Sequence, residues 1–260
     1  MVNNNGQRPY AFHKHQPFES WRGHEFYSYY QSVLSHVHSK LKLCDLRDPT
    51  LAAAHQQAVH SADKALTAFL QLAAMRLPAR RAMLFFFDGD HAFVIAESTR
   101  TLSLEDSSQH QAGGSLWLGF TKIPRRFSVC EVTADLPANE GSNAHDEATK
   151  AIVHIVNNLA EDTRFCNLPY VMGGPHTRFY AGVPITTRNN LHIGVLCVLD
   201  DEPRDGLTLP EVEFLRGLSP AIMEHLGTIR MEVDHLPSHA MTTALGAFVE
   251  SRSCSQHWWL

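Results

Sequence analysis

The residues of this chain most able to do chemistry are its five cysteines, Cys44, Cys130, Cys166, Cys197 and Cys254. A thiolate can be a nucleophile, a redox centre or a metal ligand, and its neighbours decide which. Here the five stand far apart, no two form a Cys-x-x-Cys pair, and their number is odd. Such usage fits reduced thiols in a cytosolic protein better than a disulfide frame. The 17 histidines are spread along the whole chain. His13 with His15, and His36 with His38, have the close spacing of a metal-ligand pair, but no cysteine or carboxylate cluster accompanies either, so both pairs read as exposed polar residues. There is no GxxxxGK[ST] loop to cradle a nucleoside triphosphate, no GxSxG elbow and no HExxH helix. Neither a metal nor a cofactor is expected.

Composition narrows the classes further. A length of 260 suits one large domain or one domain with arms, and 44% hydrophobic residues give ample material for a core. A net charge of −5 supplies no electrostatic reason to bind nucleic acid. No apolar run approaches the roughly 18 residues of a membrane span. The N-terminus lacks the basic-then-apolar order of a secretory signal. The expectation is a cytoplasmic protein.

The elements that must position any site are clearest between Arg178 and Leu218. Phe179, Ala181, Val183 and Ile185 alternate with period two, a strand with one face buried. Asn189 and Asn190 suit a hairpin turn. Ile193 to Leu199 is apolar on both faces, a covered strand. Asp200, Asp201, Arg204 and Asp205 are read as structural residues of a sharp loop, and Thr208 with Glu211 as a capping box opening a long helix. That helix carries Val212, Leu215, Ser219, Ile222, Leu226, Ile229, Val233 and Leu236 at steps of three and four. The stripe serves a dimer seam or covers the domain's own sheet, because both need the same positions. Pro220 should kink the helix.

Upstream, Phe18 to Leu43 has helical spacing and Asn3 to Gln7 reads as disordered. A helix opening at Ser61 and stopped by Pro78 precedes a strand over Ala82–Phe87, a turn at Asp88-Gly89-Asp90 and a partner strand over Ala92–Thr99. Leu116–Phe120 is expected as the third strand and Ala151–Val156 as the fourth. A short helix is expected around Cys130, and a flexible connection over Asn139–Thr149. Ala160 to Thr177 is a long irregular segment of the kind that usually carries function.

Several of these pieces, R-F-Y-A-G-V-P-I from Arg178, I-G-V-L-C-V-L-D-D-E-P-R-D-G-L from Ile193, R-A-M-L-F-F-F-D from Arg81, A-E-S-T-R-T-L-S-L from Ala96, L-W-L-G from Leu116, and D-T-R-F with P-Y-V-M-G-G-P-H from Asp162, resemble a GAF domain. They are similar in particular to the GAF sensor region at the front of fungal hybrid histidine kinases, as is L-G-A-F-V-E from Leu245. The resemblance implies an α/β (α+β) fold: an antiparallel sheet of about six strands, terminal helices on one face and a lidded pocket on the other. It implies residues 1–60 as an arm, 61–236 as the GAF domain and 237–260 as a tail. Its function would be regulatory: sensing a small molecule or redox state and signalling through terminal helices that form a homodimer, with a histidine kinase as a partner. No kinase phospho-acceptor or nucleotide-binding boxes are present, so kinase activity is not expected of this chain, nor binding to nucleic acid or membrane. No P-H-x-C-H-like segment is present to hold a bilin.

Pocket-facing groups in this family come from the middle strands and the lid. By that placement Trp117, Cys130, His154, Arg178 and Tyr180 are the candidate ligand-binding residues. Each has a structural alternative: Trp117 as core, His154 as a satisfied buried histidine, Arg178 as the partner of a carboxylate such as Glu97. Two other functions stay open. One is an interaction scaffold without ligand. The other resembles the free methionine sulfoxide reductases of this family, with Cys130 as a thiolate activated by Arg125 and Arg126 and Cys166 in the lid. Cys197, in a buried strand, is read as a small hydrophobe.

Overall fold

The structure, a computed structural model, describes residues 16–35, 58–104, 114–137 and 152–254. The histidine pairs, the Asn3–Gln7 segment and the connection at 139–149 lie outside the described residues. Six strands form one sheet: β1 (Arg81–Phe87), β2 (His91–Thr99), β3 (Thr121–Pro124), β4 (His154–Val156), β5 (Phe179–Thr186) and β6 (His192–Asp200). Their order is β3-β2-β1-β6-β5-β4, every neighbouring pair antiparallel. Five α-helices are described: α1 (Gln16–Ser35), α2 (Lys64–Arg76), α3 (Cys130–Ala134), α4 (Pro169–Met172) and α5 (Leu209–Cys254).

Strand parity divides the core in two. Leu84 and Phe86 of β1, with Phe179, Ala181, Val183 and Ile185 of β5, face α1, α2 and α5. Met83, Phe85 and Phe87, with Tyr180, Val195, Cys197 and Leu199, face the other way, beneath Phe165, Leu168, Tyr170 and Val171 of the 157–177 segment. Successive side chains of a strand point to opposite faces, so one sheet carries both layers. α1 joins the helical layer by burying Phe26, whose ring lies 5.1 Å from that of Phe93.

The helices begin where their caps dictate. Asp63 accepts from the Leu66 amide at 2.9 Å, so α2 starts three residues after Ser61. Glu211 accepts from both the amide and the hydroxyl of Thr208, each at 2.7 Å, at the head of α5. Arg204 donates to the carbonyls of Leu77 and Pro78 and pairs with Asp200, which gives that loop the structural role its sequence suggested. Along α5 the stripe buries Leu215, Ile222 and Leu226 against the sheet. The helix continues unbroken through Pro220. Ser219 beside it is tied down, its hydroxyl donating to the Pro184 carbonyl at 2.8 Å.

Leu116–Phe120 is not a strand; the third strand is Thr121–Pro124. The cause is Glu97. β2 carries a bulge after Leu84 of its partner: Leu84 faces Ala96 and Phe85 faces Val94. The extra residue reverses the parity of everything beyond it and brings Glu97 opposite Met83, on the lid face. There the carboxylate accepts the amides of Trp117, Leu118 and Gly119 at 2.6, 2.8 and 2.7 Å. Three amides turned onto one carboxylate cannot also form a ladder. Gly119 completes the turn with φ +62°, and a Cβ there would lie 2.6 Å from the Val59 carbonyl oxygen.

Candidate functional site

The space between the sheet and the lid segment narrows to a cavity of about 20 Å³, bounded among others by Trp117, Cys130, Tyr170 and Tyr180. Since one water needs roughly 10–15 Å³ of such space, the cavity has room for one or two waters, or for a two-oxygen molecule of that combined size, and for nothing bulkier in this conformation. Three of the five candidate residues, Trp117, Cys130 and Tyr180, line it. Trp117 stands 5.2 Å from the ring of Tyr170 and 5.9 Å from the Arg81 guanidinium.

His154 adjoins rather than lines it. β4 sets His154 opposite Gly182 of β5, and its ring lies edge-on to Tyr180, centroids 5.5 Å apart. Thr133 joins the two, its hydroxyl 2.9 Å from His154 Nδ1 and 2.6 Å from the Tyr180 hydroxyl. The Tyr180 hydroxyl and the Cys130 thiol stand near enough to shift each other's proton affinity, Cys130 downward and Tyr180 upward. Gly182 makes room for this ring. A Cβ there would stand 2.8 Å from Tyr180 Cζ and closer still to its hydroxyl.

Arg178 is not brought to the cavity. It donates to the carbonyls of Val171, at 2.8 Å, and Thr177, and so holds the lid's C-terminal end. Nor does it pair with Glu97. That carboxylate, fully buried, is met by Arg81 Nη1 at 2.6 Å. Arg81 precedes β1's apolar run and lies across the sheet from Glu97 on the same face, which the bulge in β2 made illegible from spacing alone.

The arginines expected to activate Cys130 are engaged elsewhere. Arg125 donates to the Asp88 carbonyl at 2.9 Å and pairs with Asp135 and Glu131, while Arg126 packs on Phe127. The neighbour Cys130 does have is Cys197, sulfur to sulfur 3.6 Å. Burial pushes the Cys130 thiol up, but hydrogen bonds with Cys197, Tyr180 and Ser128 outweigh it and leave the group below its ordinary value. Cys197 moves the opposite way, raised by burial and by its neighbour. His154 is lowered to about 4, first by burial and then by the Arg164 charge. Cys166, half-buried in the lid, places its sulfur near the Thr163 carbonyl, 3.9 Å away.

Thr133 and Cys197 were not among the expected site residues. Thr133 follows Cys130 by one helical turn, a spacing that puts both on one face of a short helix. Cys197 sits in a strand apolar on both faces, where no periodicity reveals which residues face the pocket. Among the described residues no group of three or more His, Cys, Asp or Glu is placed to hold a metal. No helix there is long and apolar enough to cross a membrane.

A six-stranded antiparallel sheet with long terminal helices on one face and a lid on the other is the arrangement the resemblance implied, and the family model agrees. Residues 61–226 match the GAF domain. This chain belongs to the GAF domain family. The family is one of sensory and regulatory domains. The GAF chain is 32% identical over 129 residues to a cyclic di-GMP phosphodiesterase of Pseudomonas aeruginosa. That stretch is 50% of this chain but 20% of the relative, so the chain spans about a fifth of that protein. Among solved structures it is similar to the GAF domain of PixJ from Thermosynechococcus elongatus in its blue-light absorbing form. The identity is 16% and the TM-score 0.44, over 68% of this chain and 93% of that one. It is likewise similar to a domain of a putative two-component sensor histidine kinase from Sinorhizobium meliloti, at 15% identity and TM-score 0.43, over 67% and 97%.

Proposed function

We propose that this GAF domain is a sensory module that reads a small molecule or the redox state in the compartment beneath its lid and passes that state to a signalling partner through its terminal helices. The observation that carries this reading is the hydrogen-bonded chain from half-buried His154 through buried Thr133 to buried Tyr180, with Cys130 bordering the same cavity, rooted in β5, the strand whose opposite face packs on α5. Polar groups this deep are kept where they act on something or fix one arrangement. β5 is tied to α5 through Ser219 and the Pro184 carbonyl, so a shift of Tyr180 is felt at the helix. Binding acts on a helix only through a difference in affinity between two of its arrangements.

The same reading takes the partner to be a histidine kinase, as the resemblance to the sensor region of the fungal hybrid enzymes suggests, and the module to be a cytoplasmic homodimer joined along α5, whose sequence stripe runs on to Val233 and Leu236. Val233→Glu is then expected to turn a dimer into a monomer by light scattering; a parent that is already monomeric at high micromolar concentration removes the seam.

The test of sensing is amide hydrogen exchange along α5 during a thermal-shift screen of small molecules, reductants and oxidants. An addition that shifts the melting temperature is expected to alter exchange in α5. Stabilising additions that all leave α5 unchanged refute the sensory reading. The small cavity favours a second reading, a scaffold whose pocket has closed, and that reading gains if no addition moves the melting temperature. Turnover of free methionine sulfoxide with a thiol reductant is expected to be nil.

A further inference from the structure

The pair Cys130 and Cys197 is more than two buried thiols. Their sulfurs, 3.6 Å apart, come from different elements, α3 and the central strand β6, and about 1.5 Å of closure brings them to bonding distance. Cys130 borders the cavity, so one sulfur has access to a molecule the size of water. The rest of the site is arranged to support negative charge on that sulfur. With the His154 proton on Nδ1, His154 can donate to Thr133 and Thr133 to Tyr180, which leaves the Tyr180 proton free to turn towards the cavity that Cys130 borders. Among the described residues the third thiol, Cys166, sits in the lid against the Thr163 carbonyl and takes no part in this line.

We propose that Cys130 and Cys197 form a peroxide-oxidised dithiol, with hydrogen peroxide entering the cavity beside Cys130 and the two sulfurs closing into a disulfide beneath the lid. The Cys130 thiolate attacks one peroxide oxygen and the O–O bond breaks. The departing hydroxide takes up the proton that Cys130 gave up, leaving water and a sulfenic acid on Cys130. The Cys197 sulfur then attacks the Cys130 sulfur and the S–O bond breaks. Hydroxide leaves with the Cys197 proton as a second water, and the S–S bond forms. Two electrons pass from the sulfurs to the peroxide oxygens, and the balance is two thiols plus one peroxide to one disulfide plus two waters. The two thiols divide the roles as their environments do: Cys130 is the more acidic and attacks, while Cys197 keeps its proton until it resolves. A cavity of about 20 Å³ admits peroxide and excludes a peptide disulfide such as oxidised glutathione.

The inference rests on the sensory reading, for which it names the input: the new bond would tether α3 to β6 next to Tyr180. The test treats the reduced full chain with hydrogen peroxide, quenches with a thiol-alkylating reagent under denaturing conditions and maps the peptides by mass spectrometry. The expected result is loss of alkylation at Cys130 and Cys197 together, a peptide pair joined through them and lighter by two hydrogens, and full reversal by dithiothreitol. In Cys197→Ala the resolving sulfur is gone, and a sulfenic-acid trapping reagent is expected to label Cys130. Peroxide that leaves both alkylated while consuming Cys166 overturns the proposal, and so does trapping on Cys197 in Cys130→Ala with none on Cys130 in Cys197→Ala. The first measurement uses no variant and so does not depend on either substitution folding. Failure here leaves α5's response to other additions as the separate test of sensing. A cross-link that forms without altering exchange in α5 upholds the dithiol and tells against the sensory reading alone.

Discussion

Replacing Glu97 tests whether one buried carboxylate shapes the wall of the site. Its Oε1 accepts from Arg81 and the Trp117 amide, its Oε2 from the Leu118 and Gly119 amides, and its side chain is wholly buried. In Glu97→Gln either orientation of the amide turns an NH2 group towards two donors. Two hydrogen bonds are lost and the Arg81 charge keeps at most a neutral acceptor. Breaking a buried ion pair by removing one partner costs about 3–5 kcal/mol. The lost bonds are not counted separately, because these contacts share one carboxylate and do not add. For a domain of this size about 3–5 kcal/mol lowers the melting temperature by on the order of 10 °C. Thermal and urea unfolding with the parent alongside give the measurement. A variant that melts within a degree or two of the parent would refute the claim that Glu97 holds residues 116–120, as would a double variant with Arg81→Met no more stable than Glu97→Gln alone. The second result follows from the same reasoning: with the orphaned charge removed, part of the loss should return.

Three further outcomes are expected. Gly194→Val should destabilise by about 3 kcal/mol, because β6 is covered on both faces and a Cβ at residue 194 would stand 2.5 Å from Phe86 Cδ1 and closer to the Phe85 carbonyl oxygen; urea unfolding measures it. Gly182→Ala should displace the Tyr180 hydroxyl from Thr133, so that Thr133→Val costs less in that background than in the parent, a double-mutant cycle with coupling of about 0.5–3 kcal/mol. The His154 imidazole has its pKa lowered to about 4 in the folded protein against about 6.5 when unfolded, so the unfolded chain binds more protons between those values. Its contribution is complete above pH 6.5 and is lost as pH falls towards 4, up to about 3 kcal/mol. Unfolding free energies across that window should flatten in His154→Asn.

Much of this arrangement could be read from residue order. The unbroken apolar run of β6 and the Thr208–Glu211 cap each report a local rule that tertiary contacts did not override. The alternation of Phe179 to Ile185 located β5 but not its burial: the strand is covered on both faces, not one, because Tyr180, Gly182 and Pro184 lie beneath the lid layer. What stayed hidden was parity. A strand covered on both faces has no amphipathic period, so Cys197 read as a small hydrophobe, and only the register of β5 and β6 shows that it shares a face with Tyr180. The bulge in β2 is likewise silent in the sequence, yet it sends Glu97 to the lid face and so decides that Leu116–Phe120 turns around a carboxylate instead of pairing. Arg178 misled for the opposite reason: its place at the head of β5 is beside the pocket strand, but a long side chain goes where acceptors are, and the lid's carbonyls were nearer.

On the proposed sensory reading, the same parity is the route by which a change at the site would reach the helices. Tyr180 and Ala181 are neighbours on β5, one in the lid layer and one in the helical layer, and the strand between them is fully buried. Packed interiors resist small volume changes, so a displacement of Tyr180 must be taken up on the other side of the strand or within the lid. The lid is anchored at its far end by Arg178 and closed over Trp117 by Tyr170, whose hydroxyl accepts the Val129 amide at 3.2 Å. On the helical side α5 is fastened to β5 by Ser219, whose hydroxyl donates to the Pro184 carbonyl next to the proline that already lacks a helical amide. Strain entering at Tyr180 therefore meets a fastened lid on one side and, on the other, a turn of α5 that lacks one backbone hydrogen bond at Pro220. Bending of α5 near Pro220 is the response this geometry favours.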